Sequence, residues 1–152
     1  MLNPAFVSSL LFTTVILSAV TPALAVDGQV VITHAKALAG NVTPGDAAGY
    51  PVTISKPGSY KLASNLIVPE RKTGIQVTSD NVTIDLNGFT LHGVTVASYG
   101  ITGGSMKSLT IENGTITRFN LDGIYGTGDY WIVDNMRSIE TAATEWALAN
   151  SL

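Results

Sequence analysis

The feature that most constrains the fold of this chain is a pattern that occurs three times between residues 74 and 136. Each copy begins with Gly-Ile, passes through a short loop, and enters a segment of alternating apolar and polar residues that ends in an acidic residue and is followed by Asn. The Gly-Ile pairs are Gly74-Ile75, Gly100-Ile101 and Gly123-Ile124, and the alternating segments are residues 82–85, 109–112 and 131–134. The copies are about 25 residues apart, a period typical of arrays in which each repeat buries its apolar face against the next.

Alternation within these segments predicts which side chains face inward. Successive side chains of a strand point to opposite sides, so every second residue belongs to the interior. The inward set comprises Val82, Ile84, Leu86, Leu109, Ile111, Trp131 and Val133. In the third segment Ile132 must then point outward, at a position where the first two segments have Thr.

Short strands with Gly and Asn turns between them fit either an antiparallel sandwich or a parallel β-helix. A sandwich gives no reason for the same order of loop, Gly-Ile, strand and Asn turn to recur, so the sequence predicts an all-β fold, a short parallel β-helix. Equivalent residues of successive coils then lie about 4.8 Å apart. We expect an inner ladder of Ile84, Ile111 and Val133, and a stack of turn residues made by Asn87, Asn113 and Asn135.

The first 25 residues predict a signal peptide. Residues 5–20 are uncharged and mostly apolar, Pro22 follows them, and Ala23-Leu24-Ala25 has the small-x-small pattern of a cleavage site. The apolar stretch is shorter than the roughly 20 residues that span a bilayer, so a cleavable signal is favoured over a permanent anchor. The expected location is secreted, periplasmic or cell-surface, with no stable membrane span after cleavage.

The rest of the chain divides into three predicted parts. Residues 26–51 form an N-terminal cap of a strand, a short helix over residues 35–39 that ends at Gly40, and a loop; residues 52–136 form the coils. Further strands are predicted at residues 30–32, 52–54, 60–62 and 66–68. Residues 137–152 form a tail in which apolar residues recur at helical spacing. This tail is either a helical cap over the last coil or the end of a truncated family member.

Charge and composition exclude several functional classes. The formal net charge is −3, without the clustered Lys and Arg that nucleic-acid binding requires. The chain has no Cys and two His, so disulfides and the usual zinc sites are excluded. Stability must therefore come from packing.

Residues 57–66, Gly74-Ile75 and residues 81–89 together resemble secreted bacterial proteins with right-handed parallel β-helix repeats, in the pectin-lyase-like fold group. The similarity covers about residues 50–136 and implies a right-handed β-helix. Because this group includes polysaccharide lyases, glycoside hydrolases, epimerases, adhesins and phage tailspikes, the fold does not determine an activity. Members usually carry more coils than the three or four predicted here, and self-association through open coil ends is expected to compensate for the small core.

Asp85, Glu112 and Asp134 occupy the same outward position in successive copies, and we call them the carboxylate column. Three stacked carboxylates bind a cation such as Ca²⁺, share protons, or extend into water. The resemblance to pectate-lyase-like enzymes implies Ca²⁺ at these acidic residues and a basic residue that abstracts a sugar proton, for which Arg118 and Lys107 are the candidates. Solvated outer-face residues without a function are the simpler interpretation.

Aromatic rings stack on the apolar faces of pyranose sugars, which makes Tyr99, Tyr125 and Tyr130 candidate substrate-binding residues for a polysaccharide. The leading functional expectation is a non-catalytic, carbohydrate-binding or surface-structural module that needs no cofactor. It leads because the motifs of the hydrolases in the resembling group are missing and because few coils are available to build a groove. The alternative is a Ca²⁺-dependent polysaccharide lyase-like enzyme acting on acidic polysaccharide.

Overall fold

A computed structural model describes residues 28–139 and 147–148 of the chain, and it shows a parallel β-solenoid of about three turns. The strands are β1 (Gln29–Ile32), β2 (Val52–Ile54), β3 (Gly58–Leu62), β4 (Leu66–Val68), β5 (Ile75–Val77), β6 (Val82–Asp85), β7 (Thr90–Gly93), β8 (Ile101–Gly103), β9 (Leu109–Thr117), β10 (Ile124–Gly126), β11 (Ile132–Ile139) and β12 (Ala147–Leu148). One helix, α1 (His34–Ala39), lies between β1 and β2. The predicted parallel β-helix is confirmed.

The strands form three faces that the chain visits in a fixed order. Face A consists of β1, β3, β6 and the first halves of β9 and β11; face B consists of β4, β7 and the second halves of β9 and β11. Face C consists of β2, β5, β8, β10 and β12. Because β9 and β11 bend round the corner between the first two faces, faces A and B form one continuous sheet.

The inner ladder has the predicted register. Ile84 lies beside Ile111, and Ile111 lies beside Val133. Both isoleucines are fully buried, and Val133 packs against the same core. Burying one such side chain contributes about 1.5–3 kcal/mol, so the ladder stabilises every junction between coils. Ile132 is 57% exposed, as the alternation predicted.

The Gly-Ile pairs mark the place where the chain enters face C. The amide of Ile75 donates to the carbonyl of Gly100, and the amide of Ile101 donates to the carbonyl of Gly123. A Cβ atom at Gly74 would lie 2.6 Å from the Gly100 oxygen, and one at Gly100 would collide with the Gly123 oxygen. At Gly74 and Gly100, the repeated glycine is therefore explained by close backbone stacking between coils.

Helix α1 begins one residue earlier than the sequence predicted and ends at the predicted glycine. The hydroxyl of the N-cap residue Thr33 accepts a hydrogen bond from the amide of Lys36 at 3.1 Å. At Gly40, φ is 79°, and a Cβ atom would lie 2.7 Å from the Ala48 amide nitrogen. The helix contacts β4, on the side where a further strand of face B would otherwise lie.

The helical alternative for the tail is wrong for those of its residues that the structure describes. Arg137–Ile139 continue β11, and Ala147–Leu148 form β12, parallel to β10. The strand continues because the second half of β9 offers a parallel edge, and pairing with that edge overrides a weak helical periodicity. Residues 140–146 and 149–152 lie outside the described residues, as does the predicted signal peptide at residues 1–25. Within the described ranges, no helix has the length and apolar character needed to cross a membrane.

Candidate functional site

Two of the three predicted sugar-binding tyrosines meet on face C. The outward-facing positions of this face are in register and run through Thr53, Gln76, Thr102 and Tyr125. Tyr99, in the loop before β8, stacks on Tyr125 with a centroid distance of 5.1 Å and an interplanar angle of 29°. Tyr125 is 42% exposed, so this tyrosine pair presents an aromatic surface at one end of a polar row.

Tyr130 does not join the tyrosine pair. It lies in the turn before β11, is 79% exposed and has a positive φ of 58°. The ring contacts found among the described residues join Tyr99 to Tyr125 and His34 to Tyr50, and neither involves Tyr130. The turn after face C places Tyr130 at another corner of the coil, so it is not part of the pair.

The carboxylate column is in register, as predicted. Asp85 lies beside Glu112, and Glu112 lies beside Asp134. Lys61 occupies the equivalent position in the preceding coil, and its Nζ lies 3.2 Å from Oδ2 of Asp85. The repeat pattern does not indicate this lysine, because it precedes the first Gly-Ile pair.

Asp85 is held by neighbours on three sides. Its Oδ1 accepts hydrogen bonds from the Asn87 amide at 2.7 Å and from the Asn113 side-chain amide at 3.2 Å, while Lys61 pairs with Oδ2. Burial alone would raise the pKa of Asp85, but these hydrogen bonds and the lysine charge together hold that pKa below its ordinary value. Asp85 is therefore a charged structural anchor in this arrangement.

No three His, Cys, Asp or Glu side chains of the described residues gather as the ligands of one metal ion would. The carboxylate column therefore has the predicted alignment, but its described side chains are not arranged as a metal-ion site. The two basic candidates lie elsewhere on the coil: Lys107 is exposed just before β9, and Arg118 is exposed just after it, at the corner between faces B and C. The structure thus aligns the acidic candidates and separates them from the basic ones.

The predicted stack of three asparagines holds for two of them. The Asn135 side-chain amide donates to Oδ1 of Asn113 at 2.9 Å, and both residues have positive φ at the corner between faces A and B. Asn87 is out of this stack, and its side-chain amide donates to the carbonyl of Leu62 instead. The reason was visible in the sequence: Asn follows Glu112 directly, whereas Leu86 separates Asp85 from its asparagine.

A concavity that the sequence pattern does not predict lies at this corner. Its volume is about 250 Å³. We call it the corner depression, and it is lined by Gly88, Asn113, Gly114, Thr115, Asn135 and Arg137. Its lining combines a guanidinium, two side-chain amides, a hydroxyl and two glycines, which is a surface rich in hydrogen-bond donors.

Comparisons with protein-family models, with curated proteins and with solved structures find no match to this chain. The part of the resemblance that the structure supports is the parallel β-solenoid itself. The features of the described residues that bear on function are the tyrosine pair, the carboxylate column and the corner depression.

Proposed function

We propose that this protein is a non-catalytic β-solenoid module that binds carbohydrate through the tyrosine pair on face C. The observation that carries the proposal is the stacking of Tyr99 on a partly exposed Tyr125 at the end of a row of outward polar side chains. Aromatic rings cover the C–H face of a pyranose, while neighbouring hydroxyl and amide groups bind its hydroxyls.

The register of face C fits an extended ligand. Thr102 lies beside Tyr125, and Gln76 lies beside Thr102, so polar groups follow the aromatic surface at steps of about 4.8 Å. The formal net charge of −3 favours an uncharged polysaccharide over a polyanion. Secretion by the predicted signal peptide would bring the module into contact with such polymers.

Alanine variants of the tyrosines test this proposal. Binding of the purified protein to a panel of neutral oligosaccharides is measured by calorimetry for wild type, Tyr125→Ala and Tyr99→Ala. We expect each variant to weaken binding about three- to tenfold, because one stacked ring is lost. Tyr130→Ala is the matched control, since it removes an exposed tyrosine outside the pair. Equal losses in all three variants, or no binding to any sugar by the wild type, would reject the tyrosine pair as the binding surface.

A Ca²⁺-dependent lyase acting on acidic polysaccharide is the second candidate, favoured by the alignment of the carboxylate column. Its test is the absorbance of unsaturated products from polygalacturonate and alginate, with and without Ca²⁺. A Ca²⁺-dependent signal that is lost in Glu112→Gln and in Arg118→Gln would support the lyase. No absorbance increase with any of these polymers would reject the lyase. Glu112 suits this test because, unlike Asp85, it has no side-chain hydrogen bond or ion pair within the described part of the chain.

A further inference from the structure

The corner depression arises from a difference in turn length between two adjacent coils. Face A pairs residues 82–85 with 109–112, and face B pairs Thr90 with Thr115. Four residues, 86–89, therefore turn the corner in one coil, where two residues, 113–114, suffice in the next. We call this longer turn the ledge, and its Gly88 lines the depression together with residues of the two following coils.

Glycines allow this ledge to form. A Cβ atom on Gly114 would collide with Cβ of Leu86 and would lie 2.9 Å from the Phe89 oxygen, so the longer turn rests directly on that backbone. Gly88, at the edge of the ledge, has a φ of 80° and open space where a side chain would be. The depression is therefore bounded by close packing between the ledge and Gly114, and it is open at Gly88.

Several hydrogen-bond donors around the depression form no hydrogen bond with other described residues. Arg137 forms no hydrogen bond or ion pair with the described residues, and neither does the hydroxyl of Thr115. The Asn135 amide uses one N–H on Asn113, which leaves its second N–H available. Arg137 and Thr115 are aligned on adjacent strands, so their side chains reach the same space.

We propose that the corner depression binds one oxyanion, a carboxylate or sulfate group of a small molecule, through the guanidinium of Arg137 together with the Asn135 amide and the Thr115 hydroxyl. A guanidinium presents parallel N–H groups that match two oxygens of such a group, and the neighbouring donors complete the contacts.

The surrounding charges limit the site to a single anionic group. Glu112 and Asp134 stand on face A, one residue before the two asparagines that line the depression. Their negative charges oppose a polyanion that extends across the corner, whereas Lys61 offsets only Asp85. A compact ligand with one oxyanion meets the guanidinium without crossing the carboxylate column.

The test is an NMR titration of the isotopically labelled full chain. Signals of the Asn113 and Asn135 side-chain amides and of Arg137 Nε are followed as sodium glucuronate, sodium sulfate or sodium chloride is added at constant ionic strength. We expect saturable shifts at these signals with glucuronate, sulfate or both, and none with chloride. The first two salts distinguish a carboxylate site from a sulfate site.

Matched variants separate the site from general charge effects. Arg137→Gln is expected to weaken binding about ten- to a hundredfold, the loss typical of a charged hydrogen-bond donor. Arg71→Gln removes the same charge from an exposed turn after β4 and should leave the affinity unchanged. Arg137→Lys, which keeps the charge without the planar fork, should give an intermediate affinity and serves if the glutamine variant does not fold. Equal weakening by Arg71→Gln, or shifts that chloride reproduces, would overturn the proposal.

Discussion

At the scale of single residues, Asp85 connects three parts of the corner: Lys61 from one coil, Asn87 from its own, and Asn113 from the next. We expect Asp85→Asn to lower the free energy of unfolding at pH 7 by about 1 to 3 kcal/mol, since charged hydrogen bonds contribute this much. Asp134→Asn is the control in the same column, because Asp134 is exposed and forms no ion pair among the described residues. Urea unfolding measures both. A loss at Asp134 as large as at Asp85 would contradict the assignment of the anchor.

The lowered pKa of Asp85 also predicts how its contribution depends on pH. A carboxyl whose pKa is lower in the folded state stabilises the protein fully above its unfolded pKa of about 3.9. This stabilisation is lost as the pH falls through the lower pKa of the folded state. The stability difference between wild type and Asp85→Asn should therefore be constant near neutrality and shrink below about pH 4. Urea unfolding curves recorded across this pH range measure the difference. A stability difference that does not change with pH would contradict the assignment of Asp85 as a charged anchor.

At the scale of elements, side chains form hydrogen bonds with the backbone groups at the free edge of β2. One carboxylate oxygen of Asp46 accepts from the Thr53 amide at 2.7 Å, and the other accepts from the Val42 amide at 3.0 Å. The hydroxyl of Thr43 donates to the Thr53 carbonyl and accepts from the Ser55 amide. Asp46 and Thr43 are each only 5% exposed. These contacts supply what a further strand would supply, and they protect the edge from pairing with another chain.

We expect Asp46→Ala to cost more stability than any exposed aspartate variant, because it leaves the Thr53 amide of β2 and the Val42 amide of the preceding loop unsatisfied. The expected loss is about 2 to 5 kcal/mol. Asp80→Ala is the control: its exposed carboxylate accepts one hydrogen bond, from the Lys107 amide. Thermal unfolding and light scattering measure stability and aggregation. Similar melting temperatures for the two variants would show that the edge does not depend on Asp46.

The sequence predicted the strands better than it predicted the corners, and the reason is physical. Alternation and the repeat period determine which residues of a strand face inward and which residues align, so Ile84, Ile111 and Asp85 took their predicted places. A corner depends on how many residues turn it, and the longer turn at residues 86–89, which places Leu86 before Asn87, moves Asn87 out of the stack. The ledge over Gly114 and the position of Lys61 beside Asp85 need the register of a neighbouring coil, which no local pattern contains.

At the scale of the whole molecule, the two ends of the solenoid differ. At the N-terminal end, α1 lies beside β4 and the loop with Asp46 covers β2, so among the described residues β1 offers the remaining edge, of four residues. At the other end, β11 pairs with β9 along residues 132–137, and no further strand of the described residues pairs with this stretch. Any pairing between copies is therefore favoured at β11.

This asymmetry predicts the form that self-association takes. If β11 of one copy pairs with β11 of another, the same edge is used on both sides, and the assembly closes at a dimer instead of growing into a filament. We expect light scattering to show a concentration-dependent dimer. Hydrogen exchange at β11 should slow as the dimer forms, because edge amides gain partners. Exchange at β2, whose edge Asp46 and Thr43 already occupy, is the internal control and should not change. A monomer at every concentration, or protection that appears at β2 while β11 stays unchanged, would show that the solenoid does not associate through this edge.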